Sequence, residues 1–318
     1  MPIREAVVLA AGHGLRMRPL TEYCPKPALP FLNRPILHWL LGSLKSAGVE
    51  RVFINLHHLP QAVRASAEVG AAGLEIRFSF EPQILGTAGV FGPLRGLIQG
   101  DAILVVNGDI VHDIPYGRLE ADLQAHPEAL ASLALRGAEK PYTPVSADAD
   151  GKILSFGGEG DWMFAGAYAM RRALLDRLPG PGPRELVPDL LRPLLPSGAV
   201  RGLACPERWL DLGSPAAFLQ ASMKALRELA EGELTPPEGS LLETRDRQPL
   251  LRHRSAVISR DATLTGPLVA GEGVRVEPRA HVGGSVLMEK VQVARSERLE
   301  GCVAMESASG RLLVSGRA

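Results

Sequence analysis

Residues 6–27 read AVVLAAGHGLRMRPLTEYCPKP. Ala6–Ala11 is a short apolar run suited to a buried parallel strand. The loop after it gathers Gly12, Gly14, Arg16, Arg18 and Lys26, together with Pro19, Pro25 and Pro27. Glycines directly after a buried strand let backbone N–H groups approach a phosphate closely. The dinucleotide fingerprint is absent, because its third glycine position holds Met17, and no Gly-Lys-Ser/Thr follows to make a P-loop. Lys26 stands between two prolines, which restrict its own backbone and that of its neighbours. Arginine grips phosphate oxygens in a planar fork and lysine acts as a compact point charge, so Arg16 and Lys26 together suit a polyphosphate clamp. The plain alternative is a turn whose basic side chains are merely solvated.

Outward from this loop, strand and helix patterns alternate. Pro35–Ala47 has helical spacing of Ile36, Leu37, Leu40, Leu41 and Leu44. Arg51–Leu56, Leu74–Phe80 and Ala102–Val106 suit strands, Gln61–Val69 a helix and Ala88–Ile98 a weaker one. Such alternation predicts an α/β sheet, in which ligands sit beyond the C-terminal strand ends. Both the opening loop and Asn107-Gly108-Asp109 fall there. Ala129–Leu135 and Trp162–Met170 suit strands, Glu185–Leu195 a helix despite Pro188 and Pro193, and Pro215–Glu231 an amphipathic helix. Residues 232–254 lose periodicity and suit a linker. Beyond them Ile258, Leu264, Ala270, Val276 and Val282 recur every six residues, and Ala262, Leu268, Val274, Ala280 and Val286 share the period in a second register. That pattern predicts a left-handed parallel β-helix of about two coils, packed on the first domain or forming an oligomer interface. The expected division is a domain over 1–231, a linker over 232–254, a β-helix over 255–305 and a frayed tail over 306–318.

The bulk composition sets limits. Across 318 residues, Lys plus Arg (35) equals Asp plus Glu (35), so no net field draws the chain to nucleic acid or an anionic membrane. Any bound anion must be held locally. Cys24, Cys205 and Cys302 lie far apart, which argues against a disulfide framework or zinc site and fits a cytoplasmic protein. The N-terminus has neither signal-peptide nor membrane-span character. His57 and His58 are adjacent on a strand end and point to opposite faces, against a shared metal. Trp39 and Phe53 suit the core, and no nucleophile elbow marks hydrolase chemistry.

The stretch Leu9–Pro27 closely resembles the LAAGxGxRxxPLTxxxPKP signature of the sugar-1-phosphate nucleotidylyltransferases. Glu81–Gly89 (EPQILGTAG), Val106–Asp109 (VNGD), Phe164–Tyr168 (FAGAY) and Trp209–Ser214 (WLDLGS) continue the resemblance in order. It covers the chain to about Met223, and the six-residue repeat is similar to the short β-helix of many members. The resemblance implies a Rossmann-like mixed α/β sheet followed by that β-helix. It also implies a reaction: a sugar 1-phosphate oxygen attacks the α-phosphate of a nucleoside triphosphate, releasing pyrophosphate. Such transfers rest on positioning and charge neutralisation. On this basis Arg16 holds the β- and γ-phosphates, Lys26 neutralises charge at the reacting centre, and Gly12 and Gly14 support the nucleotide phosphates. The backbone at Leu9 and Ala11 meets the base edge, and Glu81 and Gly86 fall where the family recognises the base. Asn107 and Gly166 belong to the sugar side. Asp109 and Asp211 bind Mg²⁺, which favours few carboxylates plus phosphates and water. Left to itself, Asp211 equally suits a cap before the helix at Pro215.

The sugar side departs from the family pattern. Many members read Glu-Lys-Pro before the sugar-binding strand, and here Ile153–Trp162 is ILSFGGEGDW with no such lysine. Members without it include N-acetylmuramate-1-phosphate uridylyltransferases and mannose- or heptose-1-phosphate guanylyltransferases; the LGTAG stretch and repeat tail favour the mannose type. A non-catalytic nucleotide-sugar-binding subunit is the alternative from another class, and retention of Arg16, Lys26, Asp109 and Asp211 favours an enzyme. Acyltransferase chemistry in the β-helix has little support, since His253 and His281 have no marked partner.

Overall fold

The apolar run that opens the chain is strand β1 (Glu5–Leu9), and it lies at the middle of a nine-stranded mixed sheet. Along the chain follow β2 (Arg51–Leu56), β3 (Glu75–Phe80), β4 (Ala102–Asn107), β5 (Ala131–Gly137), β6 (Pro144–Ala147), β7 (Ile153–Phe156), β8 (Trp162–Arg171) and β9 (Val200–Ala204). The order is β7-β6-β8-β4-β1-β2-β3, with β5 paired to β8 and β9 to β5. Strands β4, β1, β2 and β3 run parallel, and β8 is antiparallel to β4. In the inner strands β4, β1 and β2 the β-branched residues are enclosed on both faces, as buried parallel strands require: Val7, Val8, Val52, Ile54, Val105 and Val106 are all buried. The four parallel strands therefore present the residues after Leu9, Leu56, Phe80 and Asn107 along one edge.

The computed structural model describes residues 2–178 and 180–316. They fall into two compact units, one of Met1–Gly12 with Leu37–Trp209 and another of His13–Ile36 with Leu210–Ala318. Helix α1 (Ile36–Ser46) buries Leu37, Leu40, Leu41 and Leu44 at helical spacing, and α2 (Pro60–Gly70) starts on a proline, which suits a first turn. Helix α3 (Tyr116–Ala125) follows β4. Two expected helices are broken. Ala88–Ile98 gives only single turns at Gly86–Gly89 and Phe91–Leu94. The 185–195 stretch is π-helical over Leu186–Leu191 and 3-10 over Arg192–Ser197, because Pro188 and Pro193 lack the N–H a regular α-helix needs.

In the second unit, the repeat region forms a three-sided stack of parallel strands. Val257–Ile258, Arg275–Val276 and Gln292–Val293 make one side, and Thr263–Leu264, His281–Gly283 and Arg298–Glu300 another. The third side runs Gln248–His253, Leu268–Ala270, Ser285–Leu287 and Cys302–Ser307, all parallel. Three strands on each of the first two sides exceed the expected two coils. Nine of the ten periodic residues are buried, and Ile258 is half-buried at the end of the stack. The register holds only through Val282. Ile258 pairs with Val276 and Leu264 with Val282, but Val276 pairs with Val293 and Val282 with Leu299. The coil thus shortens by one residue at Gly283-Gly284, which turns side chains over. Ser285 and Leu287 align with the inward Leu268 and Ala270, while Val286 aligns with Val269 on the opposite face.

The stretch 232–254 contains an antiparallel hairpin of Ser240–Arg245 and Gln248–His253. Its turn residues Asp246 and Arg247 have φ of 50° and 63°, the backbone a two-residue hairpin demands. At the far end Gly310–Ser315 pairs back on Cys302–Ser307, so 310–315 is a strand rather than a frayed tail. Helix α4 (Pro215–Ala230), capped by the Ser214 hydroxyl accepting from Ala217 N–H, lies against the third side.

Candidate active site

At the edge after β1 and β4, backbone packing is tight. Gly108 N–H donates to Leu9 C=O at 2.9 Å, and a side chain on Gly108 would lie 2.6 Å from that oxygen. Glycine is therefore required where β4 ends, and it sets the turn bearing Asp109, which is half-buried. Ala10 N–H, one residue beyond β1, donates to Asn55 Oδ1 at 2.6 Å. Asn55 in turn donates through Nδ2 to Glu81 Oε1 at 2.8 Å, and the other Glu81 oxygen accepts from Leu85 N–H at 2.8 Å.

Glu81 is fully buried, with both oxygens engaged inside the protein. Its geometry is that of a strut between the Ala10–Ala11 backbone and the Leu85–Gly86 turn. Buried polar groups persist where they are satisfied, and this network is satisfied at each step. Asn55 was not singled out by sequence reasoning; the only signal was one amide in the apolar run RVFINL. His57 adds a further tie, its Nδ1 lying 2.8 Å from Glu81 C=O.

The Gly86 turn is fastened on its other flank. Gly86 has φ of 76°, and a side chain there would lie 2.4 Å from Arg184 C=O. Ala88 N–H donates to that carbonyl, the Thr87 hydroxyl donates to Glu185 Oε2 at 2.6 Å, and Leu186 N–H donates to Thr87 Oγ1 at 2.8 Å.

Asn107 and Gly166, both expected on the sugar side, are neighbours. Strand β8 slips register against β5 between Phe164 and Tyr168, and Gly166 sits in the slip at φ 78°. A side chain there would lie 2.7 Å from Asn107 Nδ2. The bulge frees the Ala165 carbonyl, which accepts from the Trp209 indole N–H at 2.9 Å. Tyr142 meets the Trp209 ring edge-on at 5.4 Å, and the Arg136 guanidinium lies 5.7 Å from its centre. Arg136 also donates to the carbonyls of Cys205 and Glu207. It is a cation near the sugar-side residues that sequence reasoning passed over, for it stands in a strand and in no motif.

In the second unit, the loop after Gly12 is wound into three short turns at Leu15–Met17, Leu20–Glu22 and Lys26–Ala28. Gly14 has φ of 62°, and Thr21 Oγ1 donates to its carbonyl at 2.9 Å. Met17, Leu20 and Leu29 are fully buried, so these apolar side chains of the loop are enclosed, with polar ones between them. Arg16 is exposed, whereas Lys26 is only 5% exposed, an environment that holds an ammonium only with polar partners. Burial first, and Glu289 second, push the Cys24 thiol up to about 12, so it stays protonated and unreactive.

Arg16 and Asp211 converge on Gly213. Arg16 Nη2 would lie 2.9 Å from a Gly213 Cβ, and the two Asp211 oxygens 2.7 and 3.0 Å. Ser214, not Asp211, caps α4, which frees Asp211 from the capping role. Asp109, Asn107, Glu81, Gly86, Gly166, Leu9, Ala11 and Gly12 belong to the first unit; Gly14, Arg16, Lys26 and Asp211 belong to the second. Among the described residues, no group of three or more His, Cys, Asp or Glu side chains is placed to hold a metal. No described helix is long and apolar enough to cross a membrane, and the three cysteines are free.

Known proteins are similar to this chain in sequence and in fold. The nucleotidyl transferase family model matches residues 5–228. The chain is similar to the mannose-1-phosphate guanylyltransferase of Mycobacterium tuberculosis, at 30% identity over 311 residues, covering 94% of this chain and 82% of that one. It is also similar to the N-acetylmuramate alpha-1-phosphate uridylyltransferase of Neisseria meningitidis serogroup B, at 31% identity over 230 residues, covering 70% and 98%. In fold it resembles the crystal structure of HddC from Yersinia pseudotuberculosis, with a TM-score of 0.62 at 20% identity over 70% of this chain and all of that one. A second structure of that protein, complexed with GMP-PN, gives 0.61.

Proposed function

We propose that this chain, which belongs to the nucleotidyl transferase family, transfers a nucleotidyl group from a nucleoside triphosphate to a sugar 1-phosphate, with GTP and mannose 1-phosphate as its pair. The observation that carries the guanylyltransferase reading is the reach of the similarity. The mycobacterial guanylyltransferase matches 94% of this chain, which includes most of the β-helix, whereas the uridylyltransferase matches only 70% while using 98% of its own length. The uridylyl reaction on N-acetylmuramate 1-phosphate stays the second reading, supported by 31% identity over 230 residues.

In the proposed reaction a sugar phosphate oxygen attacks the α-phosphorus, and the bond from that phosphorus to the β-bridging oxygen breaks. Pyrophosphate leaves with the bonding electrons. Arg16 grips the β- and γ-phosphates, and Lys26 neutralises charge at the α-phosphate. The Ala11, Gly12 and Gly14 backbone supports the phosphates, and the Leu9–Ala11 backbone and the turn held by Glu81 at Gly86 border the base. Asn107 and Gly166 take the sugar. Members of the family generally use a divalent metal. We assign Asp109 and Asp211 as the residues that would hold Mg²⁺, an ion that takes one or two carboxylates and completes its shell with phosphates and water. When bound, Mg²⁺ would neutralise phosphate charge. We place the reaction in residues 1–231 of a cytoplasmic enzyme, with the β-helix over 255–305 able to mediate self-association.

The deciding experiment is a matrix of GTP, UTP, dTTP, ATP and CTP against a panel of sugar 1-phosphates with Mg²⁺, read by pyrophosphate release. GTP with mannose 1-phosphate is expected to be fastest. UTP with N-acetylmuramate 1-phosphate leading would select the second reading, and silence throughout alongside nucleotide-sugar binding by calorimetry would favour a non-catalytic binding protein. Arg16→Ala and Lys26→Ala should each lower kcat roughly 10²-fold or more, as for loss of a transition-state donor.

A further inference from the structure

We infer that the β-helix is the base that holds the phosphate-clamping loop in shape, with Asn33 as the positioning residue that ties the two. This rests on the reading of Arg16 and Lys26 given above. The loop belongs to the same compact unit as the β-helix, not to that of the sheet it springs from. Directly after the Lys26 turn the chain makes a small hairpin, Pro30–Phe31 against Arg34–Pro35. Its turn residues Leu32 and Asn33 have φ of 50° and 63°. The turn directs Asn33 onto the β-helix, where Nδ2 donates to Ala270 C=O at 3.1 Å and lies 3.3 Å from Ser240 Oγ. Ala270 closes a strand of the third side, and Ser240 opens the hairpin before it.

Two further ties serve the same loop. Tyr23 OH lies 3.3 Å from Ser309 Oγ, in the turn of the hairpin that closes the third side of the stack. The Phe31 ring meets Phe218 of α4 edge-on at 6.2 Å. That helix begins at Pro215, just after Asp211 and Gly213, and packs against the third side of the stack. Backbone bonds carry the constraint back to the lysine: Ile36 N–H donates to Leu29 C=O at 3.0 Å, and Leu29 N–H to Lys26 C=O at 3.1 Å. The loop bearing Arg16 and Lys26 and the segment bearing Asp211 are therefore both braced by the repeat region. Short 3-10 turns have poor hydrogen-bond geometry of their own, so outside support decides their shape.

The test uses the full chain. Asn33→Gly keeps a residue at ease with positive φ and removes only the amide; Asn33→Asp keeps the shape but sets a carboxylate against the Ala270 carbonyl. Both variants should raise amide hydrogen exchange across residues 13–36 relative to β1–β4, a readout independent of turnover. With the substrate pair found in the matrix, GTP and mannose 1-phosphate first, kcat should fall about ten-fold, as misplacement of a charged clamp produces. KM for the triphosphate should rise while KM for the sugar phosphate stays within two-fold. Unchanged exchange over 13–36 in both variants overturns the inference, whatever the turnover. Raised exchange with no pyrophosphate from any pair in the wild type would keep the brace and overturn the catalytic reading instead. A uniform rise in exchange over the whole chain, with both KM values moving together, would reduce Asn33 to a general stability role and also overturn it.

Discussion

Replacing Asn55 by alanine removes the middle of a buried strut. Ala10 N–H then loses its acceptor at 2.6 Å and Glu81 Oε1 loses its donor at 2.8 Å, with Asn55 and Glu81 4% and 0% exposed. A buried group left unpaired costs about 1–3 kcal/mol, more when charged, so the two together should cost about 3–5 kcal/mol. That is a large share of an ordinary stability of about 5–15 kcal/mol. For a unit of this size it lowers Tm by about 8–15 °C. Calorimetry or a thermal scan followed by far-ultraviolet circular dichroism measures it. The double variant Asn55→Ala with Glu81→Ala should lose less than the sum of the singles, because the orphaned carboxylate is gone. Asn55→Asp sharpens the case. It keeps the acceptor for Ala10 but sets two carboxylates together, so one must hold a proton, and the variant should gain stability relative to wild type as pH falls. An Asn55→Ala protein melting within about 2 °C of wild type, with full additivity in the double variant, would refute the strut.

Gly213→Ala should leave the fold intact and lower kcat about 10²-fold, since the new methyl meets Asp211 Oδ1 at 2.7 Å and Arg16 Nη2 at 2.9 Å; normal turnover would dissociate that pair from catalysis. Arg136→Met should raise KM for the sugar 1-phosphate about five-fold with little change for the triphosphate, by releasing the Trp209 ring; the opposite split would remove Arg136 from the sugar side. His112 is buried, which pushes its pKa down to about 4 from 6.5. The unfolded chain therefore binds the extra proton first, so this contribution is complete above pH 6.5 and is lost as pH falls toward 4, to about 3 kcal/mol at most. Urea denaturation between pH 4 and 7 should accordingly show a steeper acid loss in wild type than in His112→Gln.

Much of the sheet was legible because parallel strands buried on both faces are nearly continuous apolar runs, as in AVVLAA and AILVV. The loop was legible through residue types that phosphate chemistry needs. What escaped was of another kind. The role of Glu81 depends on Asn55, which lies 26 residues away on a neighbouring strand, and no local pattern links them. The hairpin over 240–253 turns on Asp246-Arg247, and arginine at positive φ gives no turn signal. It is held from outside instead, by Leu264 N–H donating to Asp246 Oδ2 at 2.8 Å. Val286 kept the six-residue period in sequence but not in space, because one residue is missing from the coil before it.

A stack of parallel strands resembles a growing polymer, since its last rung offers the same template as every rung before it. Here both ends carry chain stoppers. On the long side the first and last strands are antiparallel to their neighbours, so an incoming copy would meet reversed polarity rather than a continuation. Elsewhere arginines occupy some of the end carbonyls: Arg245 donates to those of Ser259, Arg260 and Ala262 at one end, and Arg311 to that of Gln292 at the other. The long side is thus closed at both ends, and its length is set by these two terminators as well as by the number of repeats the sequence holds.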